Sequence, residues 1–140
     1  MDDQRPPSTA APARAPLSPA TDPSLRHAIW RGFRLRCPRC GEGAVLRNYL
    51  KVRDHCPHCG EALHHARADD GPAWLTILVV GHVMAPVLLW VYPAFRPEPW
   101  VLALGFSVGC VALSLYLLPR FKGMIVAVQW ANRMGGFDER

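Results

Sequence analysis

Four of the five cysteines fall into two matched pairs, Cys37-Pro-Arg-Cys40-Gly and Cys56-Pro-His-Cys59-Gly, giving the spacing C-x2-C-x15-C-x2-C. Two residues between thiolates allow one tight turn to present both sulfurs to a single ion. The proline sets the turn, and the glycine accepts the backbone conformation that follows it. Two such knuckles complete a tetrahedron, which is the coordination of structural zinc, and Cys37, Cys40, Cys56 and Cys59 are the expected ligands. Iron fits the same four thiolates. A dithiol redox motif of the thioredoxin kind needs a βαβ context that this chain lacks, and two matched pairs favour one shared metal over two redox centres. In a reducing compartment the four thiols stay unbridged.

The surroundings of the cysteines are basic. From Ser24 to Arg67 there are nine Lys and Arg against three acids, with Arg36, Arg39, Arg47, Lys51 and Arg53 beside the knuckles. A zinc held by four thiolates carries a formal charge of about −2, so these cations read as charge compensation and as attraction to anionic membrane lipid. Nucleic acid is disfavoured, because single-strand recognition wants exposed aromatics among the basic residues and Tyr49 is the only one in the ribbon itself. His55, His58, His64 and His65 surround the second knuckle. They read as solvated side chains on a small module, since four cysteines already satisfy one ion.

The composition of the whole chain is segregated. Half of the residues are hydrophobic, yet mean hydropathy is only +0.04. Pro72 to Phe95 and Trp100 to Leu118 supply 24 and 19 consecutive positions without Asp, Glu, Lys or Arg. Roughly 20 helical residues cross a hydrocarbon layer, so both runs can span a membrane. Between them Arg96-Pro97-Glu98-Pro99 forbids a continued helix and forces a tight antiparallel hairpin. Eleven Lys and Arg precede Pro72, one lies in the turn and four follow Leu118. That asymmetry places both termini in the cytoplasm of a cell whose inner membrane holds the hairpin as a multi-pass anchor.

Inside the hairpin, His82 lies near the midplane with Pro86 four residues later, and Ser114 or Cys110 of the second helix is its expected neighbour. An intramembrane histidine is a candidate functional group, and a His-to-Ser bond that locks the hairpin is an equally good reading. Asp69-Asp70-Gly71-Pro72 leads into the first span, where the carboxylates cap the helix and the proline suits its first turn, or else meet a cation or partner. Gly105 and Gly109 form a GxxxG pair on the face away from His82, open to a helix from a second copy or another membrane protein.

Four segments follow. Residues 1–23 are Pro- and Ala-rich and read as a disordered tail, without the apolar run of a secretory signal. Residues 24–68 hold a short helix, capped by Ser24 and burying Leu25, Ala28, Ile29 and Phe33, then a small zinc ribbon with short strands at 44–46 and 49–52. Residues 69–118 form the transmembrane helical hairpin. Residues 119–140 form a C-terminal amphipathic helix in the membrane interface, stopped by Gly135-Gly136; a helix packed on the ribbon is the alternative.

The segments CPRCGEG, CPHCG, ADDGPA, Gly81-His82, LPRFKG and QWANRM, in this order, resemble the bacterial domain-of-unknown-function family 983 over about residues 26–137. The resemblance implies an integral membrane protein with two spans and a metal-binding knuckle pair, and it brings no established activity. Cys37, Cys40, Cys56 and Cys59 match its knuckles; Asp69, Asp70 and His82 match its motifs at the first span. None has a role to inherit. With no nucleophile–base pair and no open metal position, the expectation is a non-enzymatic binding or assembly module for a membrane complex. The rival is a redox or metal-transfer factor using the thiols or a His82–Cys110 site.

Overall fold

The structure is a computed structural model that describes residues 23–66, 70–134 and 137. The expected tail up to residue 22, the role of Asp69 and the Gly135-Gly136 stop lie outside the described residues. The elements are α1 (Leu25–Phe33), β1 (Leu46–Arg47), β2 (Lys51–Val52), α2 (Gly71–Phe95) and α3 (Pro99–Ala131).

Ser24 holds the N-cap position of α1, but its hydroxyl shares a 2.8 Å hydrogen bond with the His27 ring and makes no cap bond. The buried face is also narrower than the apolar pattern suggests. Ala28 and Gly32 are buried while Leu25 is exposed, because only small side chains fit against α3. The two strands pair antiparallel, Leu46 with Val52 and Arg47 with Lys51, and are shorter than expected. Asn48 adopts a left-handed conformation (φ 56°), so Tyr49 and Leu50 belong to the turn.

The helix α2 runs unbroken through Pro86 and Pro93 and ends at Arg96, whose left-handed backbone donates to the Tyr92 carbonyl at 3.1 Å. Three residues later α3 starts and returns antiparallel along α2. At the ribbon end of the hairpin Gly71 lies against Ile125, and midway Gly109 lies against Met84.

The separate amphipathic helix expected in the interface after Pro119 is corrected. One continuous helix of 33 residues carries the second apolar run and the C-terminal segment. Proline removes one N–H and crowds the carbonyl four residues earlier. Here the crowded carbonyl, Leu115, accepts a hydrogen bond from the Tyr49 hydroxyl of the ribbon turn. Beyond Pro119 the helix buries Phe121, Gly123, Val126, Ala127 and Trp130 against α1 and the ribbon. Gly32 and Gly123 bring the two backbones into direct contact. Val126 enters the core formed by Val45, Leu46, Leu63 and the buried cysteines.

Candidate metal centre

The two knuckles are built alike. In the first, the Gly41 N–H donates to the Cys37 carbonyl at 2.9 Å; in the second, the Gly60 N–H donates to the Cys56 carbonyl at 3.0 Å. Both glycines are left-handed, with φ 77° and 74°, the conformation for which a side chain would be strained. Each first cysteine then closes its loop through its own N–H, Cys37 to the Gly43 carbonyl at 2.7 Å and Cys56 to the Glu61 carbonyl at 2.8 Å. Isolated bridges, Arg36 with Ala44 and His55 with Ala62, flank the two loops.

Their sulfurs converge. All four Sγ atoms lie within 4.8 Å of one another, with Cys37 to Cys59 at 3.8 Å and Cys40 to Cys56 at 3.7 Å. A tetrahedron with metal–sulfur bonds of about 2.3 Å has edges of about 3.8 Å. The four cysteines are thus positioned to hold a metal ion; the arrangement suits zinc and does not by itself choose zinc over iron. No disulfide joins them.

Burial and backbone N–H groups together split their proton affinities. Burial pushes the Cys37 thiol well up and raises Cys59 to about 11, with neighbouring sulfurs adding to both. Cys40 goes the other way, to about 6: burial acts to raise it, but N–H groups of Gly43 and Glu42 outweigh that.

A carboxylate that spacing alone does not single out ties the centre to the fold. Glu61, two residues after Cys59, is buried and accepts from Arg39 at 2.6 Å and from Trp130 Nε1 at 2.8 Å. Arg39 of the first knuckle, Glu61 of the second and Trp130 at the end of α3 therefore meet at one point. Gly43 was equally hidden: a Cβ there would collide with Cys56 Sγ. The only advance signal was its place in the CPRCGEG run.

Residues 46–130, more than half of the chain, match the profile of the family described as Protein of unknown function (DUF983). The chain belongs to that family. The DUF983 match is narrower than the expected 26–137: it takes in Cys56, Cys59, Asp69, Asp70, His82, Gly105 and Gly109, and begins after Cys37 and Cys40. The first knuckle and α1 thus lie outside it, although they complete the tetrahedron and the α3 packing. Neither the curated proteins nor the solved structures yield a match.

The remaining residues singled out by the sequence do not join the metal centre. Asp70 occupies the N-cap position of α2, yet its side chain makes no cap bond; its carbonyl receives the Trp74 N–H at 3.0 Å. His82 is not paired with Ser114 or Cys110: its Nδ1 lies 2.8 Å from the Leu78 carbonyl of its own helix, and the residue is exposed. Gly105 and Gly109 part company as well. Gly109 faces Met84 inside the hairpin, whereas nothing lies within 4 Å of a Cβ built on Gly105. His58 meets Glu42 at 2.6 Å, and His55, His64, His65 and Phe137 form a chain of ring contacts. Among the described residues the four cysteines are the one His, Cys, Asp and Glu group placed to hold a metal.

Both long helices are apolar enough to cross a membrane, with mean hydropathy of 2.0 and 2.3 in their most apolar windows. Only 11% and 0% of those windows is buried, unlike the core helix of a water-soluble domain.

Proposed function

We propose that this chain is a membrane-anchored zinc ribbon that serves, without catalysis, as a binding or assembly module for a membrane complex. The ribbon faces the cytoplasm of a bacterial inner membrane and the hairpin is its anchor. The observation that carries this reading is closure of the site: four sulfurs at tetrahedral spacing leave no position for a substrate or water. Zinc is the ion that such a closed four-thiolate site most often holds as a structural element, and a ribbon of about 30 residues buries little apolar surface by itself, so the ion adds to the stability its core gains from Val126 of α3. When bound, the ion contributes folding free energy. Gly41, Gly43 and Gly60 set the loops, and Glu61 joins both loops to α3. The opened face around Gly105 is available to a second copy or to another membrane protein.

The rival is redox or metal transfer through the thiols or a His82–Cys110 site, and the second form finds no support in a histidine bonded to its own helix. The test is metal content and exchange in protein extracted from membranes. One zinc per chain that resists exchange over hours is the expected result; iron, copper or rapidly exchanged metal would favour transfer or redox chemistry.

A further inference from the structure

We infer that the groove between α1 and α3, just beyond the membrane-spanning part of α3, binds the phosphate headgroup of an anionic phospholipid. The groove has a volume of about 750 Å³ and is lined by Arg26, His27, Ile29, Trp30, Phe33 and Met124. Two of these lining residues, Trp30 and Phe33, belong to a ladder of rings and guanidinium groups that extends beyond the groove. The Arg34 guanidinium lies 5.2 Å from the Trp30 ring, Trp30 stacks on Phe33 at 6.1 Å, and Arg120 sits over both Phe33, at 5.7 Å, and Tyr116, at 4.2 Å.

Position, charge and shape agree on the ligand. Tyr116 is in the last turns of the apolar run and Arg120 is one turn further on, so the ladder climbs from the acyl region into the headgroup layer. Tyrosine and tryptophan favour that depth. No Asp or Glu occurs between Ser24 and Gly41 or between Pro99 and Phe137, so neither helix compensates its own positive charge. Among the described residues neither Arg34 nor Arg120 is paired with a carboxylate. Guanidinium groups placed over ring faces can still offer N–H groups to phosphate oxygens. Exposed Trp30, at 56%, and Tyr116, at 57%, offer apolar surface for the start of an acyl chain. A zwitterionic headgroup brings no net charge to this site, and a free phosphate has nothing to lay on the rings.

This inference rests on the membrane reading above, which is tested separately: a chain recovered without detergent would overturn the anchor before any lipid is added. The lipid experiment is native mass spectrometry of the full, zinc-loaded chain in detergent, titrated with phosphatidylglycerol or phosphatidylcholine. Phosphatidylglycerol is expected to bind about tenfold more tightly, and Arg34→Gln with Arg120→Gln to abolish that preference. Arg96→Gln with Arg133→Gln removes the same charge from exposed positions outside the ladder and should preserve it. Excess inorganic phosphate should fail to displace the lipid. Equal binding of the two lipids, equal loss in both double variants, or displacement by phosphate would overturn the proposal. If the Arg34/Arg120 variant does not fold, fluorescence decides: brominated phosphatidylglycerol should quench the wild-type chain more than Trp30→Phe, with no such difference for brominated phosphatidylcholine. An identical quench in both chains would refute it.

Discussion

Cys37 and Cys40 belong to one knuckle, yet their thiols are displaced to opposite sides of the ordinary value. Burial raises Cys37, while backbone N–H groups bring Cys40 to about 6. In the metal-free protein at pH 7.5, Cys40 is therefore mainly thiolate and Cys37 and Cys59 are mainly thiols. Because the thiolate is the nucleophile, iodoacetamide should modify Cys40 first, and peptide mapping after short exposure reads the order. Labelling of Cys59 should rise only as pH approaches about 11; earlier labelling of Cys37 would contradict this picture. Metal binding must strip the protons that Cys37 and Cys59 retain, so zinc affinity is expected to fall as pH is lowered. Gly43 acts on the same centre without being a ligand. A methyl group there meets Cys56 Sγ, and the sulfur cannot move without leaving its corner of the tetrahedron. Gly43→Ala should weaken zinc binding roughly 10- to 100-fold, the range typical of residues that position ligands, as measured by competition with a chromogenic chelator.

At the level of elements, the decisive contact is between α1 and the far end of α3, where Gly32 and Gly123 touch through their backbones. Alanine is worth about 1 kcal/mol more than glycine inside a helix. At Gly32 that gain is opposed by a clash with the Gly123 carbonyl and the Ala127 Cβ, neither of which can swing away. Overpacking of this kind costs about 1–3 kcal/mol, so Gly32→Ala should lower the melting temperature followed by circular dichroism in detergent; an unchanged or higher value would mean that the helices separate freely. This packing shows how far local pattern could be read. The knuckles were legible because their chemistry is set within four residues, and the hairpin because two prolines stand in a turn of four. The course of α3 was not. Pro119 reads as a stop because it removes a bond, and the group that meets the crowded Leu115 carbonyl is Tyr49, 66 residues earlier. The orientation of Gly105 and Gly109 was likewise hidden, since small residues repeat on two faces of the helix and only contact with Met84 decides between them. Glu61 shows no sign of burial in its own neighbourhood; its partners are 22 and 69 residues away.

Across the whole molecule, α1, the ribbon and the end of α3 form one body at one end of the hairpin, and Arg96-Pro97-Glu98 lies at the other. The charges follow the same division: fifteen Lys and Arg belong to the segments before Pro72 and after Leu118, against the single Arg96 in the turn. The basic residues close to the span ends, Arg53, Arg67, Arg120, Lys122 and Arg133 against Arg96, underlie the proposed cytoplasmic placement of the ribbon end. Thiol labelling can test this, but not through the ribbon cysteines, whose sulfurs would be silent on either side once they hold metal. Glu98→Cys and Met134→Cys avoid that ambiguity, because both positions are exposed and lie at opposite ends. A membrane-impermeant maleimide applied to intact cells should label Glu98→Cys above the wild-type background and reach Met134→Cys only after permeabilisation. The reverse pattern would put the metal centre outside, where the thiols would face an oxidising medium and a disulfide would compete with the ion for the same four sulfurs.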